Sequence, residues 1–204
     1  MKITGNFGFY SILTNPVVGY RKLTELIVEY NFPFVQLRMK DQPIPEIFAV
    51  AKELRNITKK SKTKLIINDY LEIAREVNAD GLHIGQGDIS YATARKILGE
   101  DKIIGLSTHS TIQVQDANKL KPDYIGIGPV FKTPTKKKPD AVIGITGMES
   151  MIKIALFPYI VIGGIDFSNI RQVLNAGAKN FCFVRQLNQS KNPEKILKQI
   201  RTFL

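Results

Sequence analysis

The feature that most constrains this chain is an alternation that runs from end to end. Short apolar runs rich in Ile, Val, Phe and Tyr are each followed by a stretch with helical periodicity. Strands of a parallel sheet are covered by helices on their faces, so they read as near-continuous hydrophobic runs, and strand–helix repeats wind into such a sheet. Eight runs can be counted: Phe7–Leu13, Phe34–Arg38, Lys64–Ile67, Gly81–Ile84, Ile103–Ser107, Tyr124–Gly128, Tyr159–Gly163 and Phe181–Val184. Eight pairs in 204 residues predict an α/β fold, a single (β/α)8 TIM barrel spanning 1–204 as one domain, at the short end of its class.

Local signals support the helical followers. Pro45 opens one whose apolar positions Ile47, Val50, Leu54 and Ile57 recur at helical spacing. Ser110 with Gln113 resembles a capping box, Pro122 closes that helix, Asn192-Pro193-Glu194 opens the last one, and Gly177 stands at a C-terminal cap after Ile170, Val173 and Leu174. Asn78-Ala79-Asp80-Gly81 parallels Lys121-Pro122-Asp123-Tyr124, which reads as one helix-to-strand turn used repeatedly by a single architecture. The one long connection, Val130 to Ile145, is polar, proline-bearing and lysine-rich, as lids and disordered segments are.

Composition narrows the class. Hydrophobic residues at 44% and charged residues at 23% are ordinary for a globular protein and exclude disordered and fibrous classes. The lone Cys182 lies between Phe181 and Phe183 and reads as an inert core thiol in a reducing compartment. Met1 to Pro16 carries no apolar run like that of a signal peptide, and no stretch reaches the ~18 apolar residues of a membrane span, so a cytoplasmic protein without membrane contact is expected. The net charge of +11 suits nucleic acid, acidic lipid or a small polyanion. Its densest clusters, Lys59-Lys60-Ser61-Lys62 and Lys136-Lys137-Lys138, lack interleaved aromatic residues to stack on bases, so nucleic acid is not expected as a partner.

In such barrels the chemistry sits at the C-terminal ends of the strands. Here those ends carry Arg38 and Lys40, Asn68 and Asp69, Gln86 and Asp88, then Ser107, Thr108 and His109, then Thr133, Thr135 and Lys136. Strand seven ends in Gly163-Gly164, where backbone N–H groups can approach a ligand, and strand eight ends at Val184-Arg185. Two carboxylates beside an asparagine suit a hard cation such as magnesium, which takes oxygen ligands and shares substrate phosphates. Arg38, Lys40 and Lys136 would complete a diphosphate site, and the ends of strands seven and eight a second anion site. Each residue has a plainer reading beside this one. Asp69 can cap a helix, Asp88 can serve a turn, Arg38 and Lys40 can be solvated charge, His83 can be a core histidine, and His109 a surface residue near a helix start. There is no nucleophile–base–orienter triad and no His/Cys cluster for zinc.

Longer motifs carry a resemblance. Val35-Gln36-Leu37-Arg38-Met39-Lys40-Asp41, Ile67-Asn68-Asp69, Asp80-Gly81-Leu82-His83-Ile84-Gly85-Gln86-Gly87-Asp88, Ile104-Gly105-Leu106-Ser107-Thr108-His109, Gly128-Pro129-Val130-Phe131 with Thr133-Pro134-Thr135-Lys136, and Ile162-Gly163-Gly164-Ile165 resemble the thiamin-phosphate synthase family in order and spacing over nearly the whole chain. The resemblance implies a magnesium-dependent transferase that couples 4-amino-2-methyl-5-hydroxymethylpyrimidine diphosphate with a thiazole phosphate, giving thiamin phosphate and diphosphate. It implies that Gln36, Arg38, Lys40, Asn68, Ser107 and Lys136 hold the pyrimidine diphosphate, with His83 near its ring. Arg38, Lys40, Ser107 and Lys136 then act on the reaction, Asp69 and Asp88 bind magnesium, and Thr133, Thr135 and Gly164, with Val184 and Arg185, serve the thiazole phosphate. The partners implied are these small molecules, with the chain a monomer or homodimer. Three positions depart from the pattern: Met39 replaces a usual acidic residue, Tyr70 stands where Arg often follows Asn-Asp, and Arg185 replaces a usual Ser. The related thiazole tautomerase carries a catalytic histidine where this chain has Pro129, and a catalytically silent phosphate-binding relative is the other alternative.

Overall fold

The computed structural model describes residue 3, residues 5–133 and residues 140–204. Its strands are β1 (Tyr10–Leu13), β2 (Phe34–Leu37), β3 (Lys64–Asn68), β4 (Gly81–Ile84), β5 (Ile103–Thr108), β6 (Tyr124–Ile127) and β7 (Tyr159–Val161). All pair in parallel and in sequence order, β1 to β7. Helices follow the strands: α1 (Tyr20–Glu29), α2 (Ile44–Thr58), α3 (Leu71–Glu76), α4 (Tyr91–Leu98), α5 (Thr111–Leu120), α6 (Gly144–Ile154) and α7 (Ile170–Asn175), with α8 (Arg185–Asn188) and α9 (Pro193–Ile200) at the end. Among the described residues no helix is long and apolar enough to cross a membrane.

The eighth expected strand, Phe181–Val184, is reduced to a bridge. Phe181 pairs in parallel with Val161 on one side and with Phe9, just before β1, on the other. Two causes shorten it. Val184 already has helical dihedrals as it leads into α8. At the other end the buried Asn180 replaces ladder bonds with its side chain: its Oδ1 accepts from the N–H groups of Phe7 and Gly8, and its Nδ2 donates to the carbonyls of Gly5 and Tyr159. The barrel therefore closes almost completely, with a side chain in part of the seam.

Caps account for several helix ends. The Ser110 hydroxyl accepts from Gln113 N–H at 3.3 Å, as expected, while the Gln113 side chain accepts from His109 N–H at 2.6 Å, one residue before the cap position of a standard capping box. Asn192 accepts from Lys195 N–H at 3.2 Å to open α9. Gly177 follows α7 with φ +91.

Successive residues of a strand face opposite sides. Leu13, Val35, Leu37, Leu65, Ile67, Leu82, Ile84, Ile104, Leu106, Ile125, Ile127 and Val161 pack outward against the helices. Tyr10, Ile12, Phe34, Ile66, Ile103, Tyr124, Ile160 and Cys182 form a separate cluster inside the barrel. Burial pushes the Cys182 thiol far up, which keeps it protonated and unreactive.

Candidate active site

The inward register that buries Phe34, Ile66 and Ile103 near the barrel floor turns polar further along the same strands. Two residues after Phe34 comes Gln36, two after Ile66 comes Asn68, and four after Ile103 comes Ser107; His83 lies two after Gly81. Gln36, Asn68 and His83 are buried. Together they line the lower wall of one cavity of about 790 Å³ that opens at the C-terminal ends of the strands. Every described residue expected to hold substrate or metal lines this cavity, from Gln36 and Arg38 to Val184 and Arg185. Of the strand-end candidates Thr108 does not, being fully buried with its hydroxyl donating to Gly126 O at 2.9 Å. Thr135 and Lys136 lie outside the described residues.

Charge gathers on the β2–β4 side. Asp69 has φ +65, and the residue that begins α3 as its N-cap is Tyr70 with no side-chain cap bond, so Asp69 is not spent on capping. Its Oδ2 instead lies 2.8 Å from the Lys40 ammonium. Burial raises the Asp69 carboxyl above its ordinary value, the Lys40 hydrogen bond opposes this, and the neighbouring Asp88 carboxylate adds to it. Asp88 does serve its turn, because its Oδ2 accepts from Gly85 N–H at 2.7 Å, and it borders the cavity as well. Burial lowers the Arg38 pKa, against the pull of Asp69 and Asp41, and a guanidinium stays charged throughout. Two carboxylates and two cations thus line the same side of the cavity, Arg38 and Asp69 half-buried and Lys40 and Asp88 exposed. An oxygen-only, anionic donor pair of this kind fits a magnesium ion, which takes few protein ligands and fills its octahedron with water and phosphate oxygen.

The β6–β7 side is built from main chain. Gly163 has φ +101 and Gly164 φ +64. A Cβ on Gly163 would lie 2.4 Å from Pro129 Cα, and one on Gly164 2.6 Å from the Lys132 carbonyl oxygen. Phe131 N–H donates to Gly163 O at 2.9 Å, and Asn169 Nδ2 donates to Gly164 O at 2.8 Å, which fixes the turn from both sides. Among the described residues no hydrogen bond takes the N–H groups of Gly163, Gly164 or Ile165. Arg185, exposed at the start of α8, borders the same side.

Sequence reasoning missed several wall residues. His109 is half-buried at the cavity, with Nδ1 2.5 Å from Gly128 O and Nε2 3.5 Å from Asp140, which corrects its reading as a surface residue. Tyr10 and Tyr124 were counted only as strand residues, yet their hydroxyls meet at 2.7 Å inside the barrel beneath His83. The register supplied a signal for Tyr124: it pairs with Gly105, whose missing side chain makes room for its ring.

Cations and carboxylates on one half of the rim, and on the other main-chain amides that no described residue bonds, define the class, a barrel enzyme for phosphorylated substrates. The family model for thiamine monophosphate synthase matches residues 18–187, and the chain belongs to that family. A thiamine-phosphate synthase of Dictyoglomus turgidum is 42% identical over 81% of this chain and 74% of its own. One from Clostridium botulinum is 37% identical over 88% of this chain and 89% of its own. The solved thiamine phosphate pyrophosphorylase of Pyrococcus furiosus superposes with a TM-score of 0.86 at 26% identity, covering 97% of this chain and 95% of that one.

Proposed function

We propose that this chain is a thiamine-phosphate synthase: it joins 4-amino-2-methyl-5-hydroxymethylpyrimidine diphosphate to a thiazole phosphate and releases diphosphate. The observation that carries the reading is one cavity whose two halves are each suited to an anion, with Arg38, Lys40, Asp69 and Asp88 on one side and the Gly163–Gly164 amides on the other. Two phosphorylated substrates held in one cavity bring their reacting carbon and nitrogen together.

Arg38 and Lys40 hold the diphosphate, and Ser107 and Asn68 orient it. Gln36 and His83, in the wall below, face the pyrimidine. Asp69 and Asp88 would hold magnesium, which would supply positive charge toward the departing diphosphate. Heterolysis of the carbon–oxygen bond leaves a resonance-stabilised pyrimidine methylene cation, and the thiazole nitrogen donates its electron pair to that carbon. No protein nucleophile takes part; charge stabilisation and positioning carry the step. Thr133 and the Gly164 amide, with Val184 and Arg185, hold the thiazole phosphate. Lys136 and Thr135 belong to the same reading, on the leaving group and the thiazole phosphate respectively. The tautomerase alternative needs a side-chain base that Pro129 does not supply.

The test is incubation with both phosphorylated substrates and magnesium. Diphosphate release coupled one-to-one to thiamin phosphate is expected. Binding of both substrates without turnover would leave a silent phosphate-binding protein instead.

A further inference from the structure

A continuous chain of hydrogen bonds runs beneath the charged rim. Gln36 Nε2 donates to Tyr10 Oη at 3.0 Å, Tyr10 Oη meets Tyr124 Oη at 2.7 Å, Tyr124 Oη meets His83 Nδ1 at 2.9 Å, and His83 Nε2 meets Ser107 Oγ at 2.9 Å. Tyr10 and Tyr124 are fully buried. A Cβ at position 105 would lie 2.1 Å from the Tyr124 ring, and that ring stacks on His83 with centroids 5.5 Å apart. The strands thus leave a tailored space in which two hydroxyls are desolvated, an arrangement that is unfavourable unless each is bonded.

The chain has a direction. An amide nitrogen only donates, so Tyr10 Oη accepts from Gln36 and turns its own proton to Tyr124. Burial pushes both phenols far above their ordinary range, so each keeps one proton to give. Tyr124, accepting from Tyr10, donates to His83 Nδ1. A ring nitrogen that accepts carries no proton, so the imidazole proton sits on Nε2 and is donated to Ser107 Oγ. Gln86 Nε2 holds the Ser107 carbonyl at 2.6 Å, fixing the residue from the other side.

We infer that Tyr10 and Tyr124 are positioning residues: oriented by Gln36, their hydroxyls lock His83 as its Nε2–H tautomer, which turns the Ser107 proton into the cavity as a donor to the anionic oxygen of the substrate. The identity of that anion, the leaving diphosphate, rests on the synthase reading above. An apolar floor would leave His83 free to exchange tautomers, and in the other tautomer Ser107 spends its proton on His83 Nε2.

The experiment pairs nitrogen-15 NMR of the imidazoles with kinetics. The chain has two histidines, so His83→Asn assigns the signals. The unmodified protein without substrate is expected to show His83 protonated on Nε2. Tyr124→Phe should give a mixture of tautomers and lower kcat about tenfold, with both Michaelis constants within about threefold, because the lost bond orients a donor that works in the transition state. Tyr10→Phe, one link further away, should shift both readouts in the same direction by less, and it decides the matter if Tyr124→Phe does not fold. A proton on Nδ1 in the unmodified protein overturns the inference, as does a Tyr124→Phe protein whose tautomer or kcat is unchanged. The spectrum needs no turnover, so a protein that makes no thiamin phosphate would sink the synthase reading and leave the tautomer measurement standing.

Discussion

The rim from β2 to β5 meets the cavity with side chains, Arg38, Lys40, Asp69, Asp88 and Ser107, whereas the rim from β6 to β7 meets it largely with main chain, the turn at Gly163 and Gly164. The first half concentrates charge that the fold itself resists. Burial and Asp88 both work against an ionised Asp69. The second half carries charge too, with Lys132, Asp140, Asp166 and Arg185 at its edge, but its centre is the glycine turn, which offers amides in a backbone conformation that excludes a side chain. The difference teaches what each half is free to change. A side-chain site can lose its chemistry while the fold stands, but a main-chain site cannot be altered without disturbing the loop that packs on it.

The largest expected effect breaks the side-chain half. Asp69→Asn should cut kcat about a hundredfold, since several kcal/mol of charge stabilisation on the leaving group depends on the metal it would hold. Asp88→Asn should cut it at least about tenfold, and a chelator should abolish activity reversibly. Stability should move the other way. Asn tolerates the left-handed backbone of residue 69 and carries no buried charge, so the melting temperature of Asp69→Asn should be no lower than that of the unmodified protein. Full activity in excess chelator would remove the metal from the reading, and a lower melting temperature would mean that the Lys40–Asp69 pair holds the fold.

The second effect tests the main-chain half. Gly163→Ala places a methyl 2.4 Å from Pro129 Cα in a backbone region that L-residues avoid. A destabilisation of about 1–3 kcal/mol is expected from the strain alone. The Michaelis constant for the thiazole phosphate should rise about tenfold as the turn shifts, with that for the pyrimidine diphosphate held within about threefold. A protein that melts normally and binds both substrates normally would show that the turn has no part in anion binding.

The same contrast explains what the sequence disclosed. Strand runs such as Tyr159–Gly163 were legible because a helix-covered parallel strand reads as a near-continuous apolar run. The carboxylates and cations were legible because several fall together at neighbouring strand ends, although each alone has a plainer use. The face each strand residue takes was not. Tyr10 and Tyr124 look like ordinary strand aromatics until register places Tyr124 opposite Gly105 and turns both rings inward. The shortened eighth strand was hidden for a related reason: Asn180 takes over ladder bonds with its side chain, and nothing in Phe181–Val184 announces that. His109 was read from its place near a helix start, whereas its ring is fixed by Gly128 and Asp140 across the cavity wall.

The smallest expected effect concerns Arg185, the one charged side chain that the start of α8 brings to the main-chain half. If the Gly163–Gly164 amides hold the thiazole phosphate alone, Arg185→Ser leaves its Michaelis constant within about twofold. If the guanidinium also reaches the phosphate, a charge-assisted bond is lost; because Arg185 is exposed and screened by water, the rise should stay within about tenfold. We expect the second result, with kcat unchanged, since a phosphate held at some distance from the carboxylate pair has Arg185 as a neighbouring cation and takes no direct part in bond cleavage. A steeper salt dependence of thiazole binding in the unmodified protein than in Arg185→Ser would mark the contact as electrostatic. Tighter binding in Arg185→Ser would mean that the side chain obstructs the cradle, and the division between a charged half and a main-chain half would then extend to α8 as well.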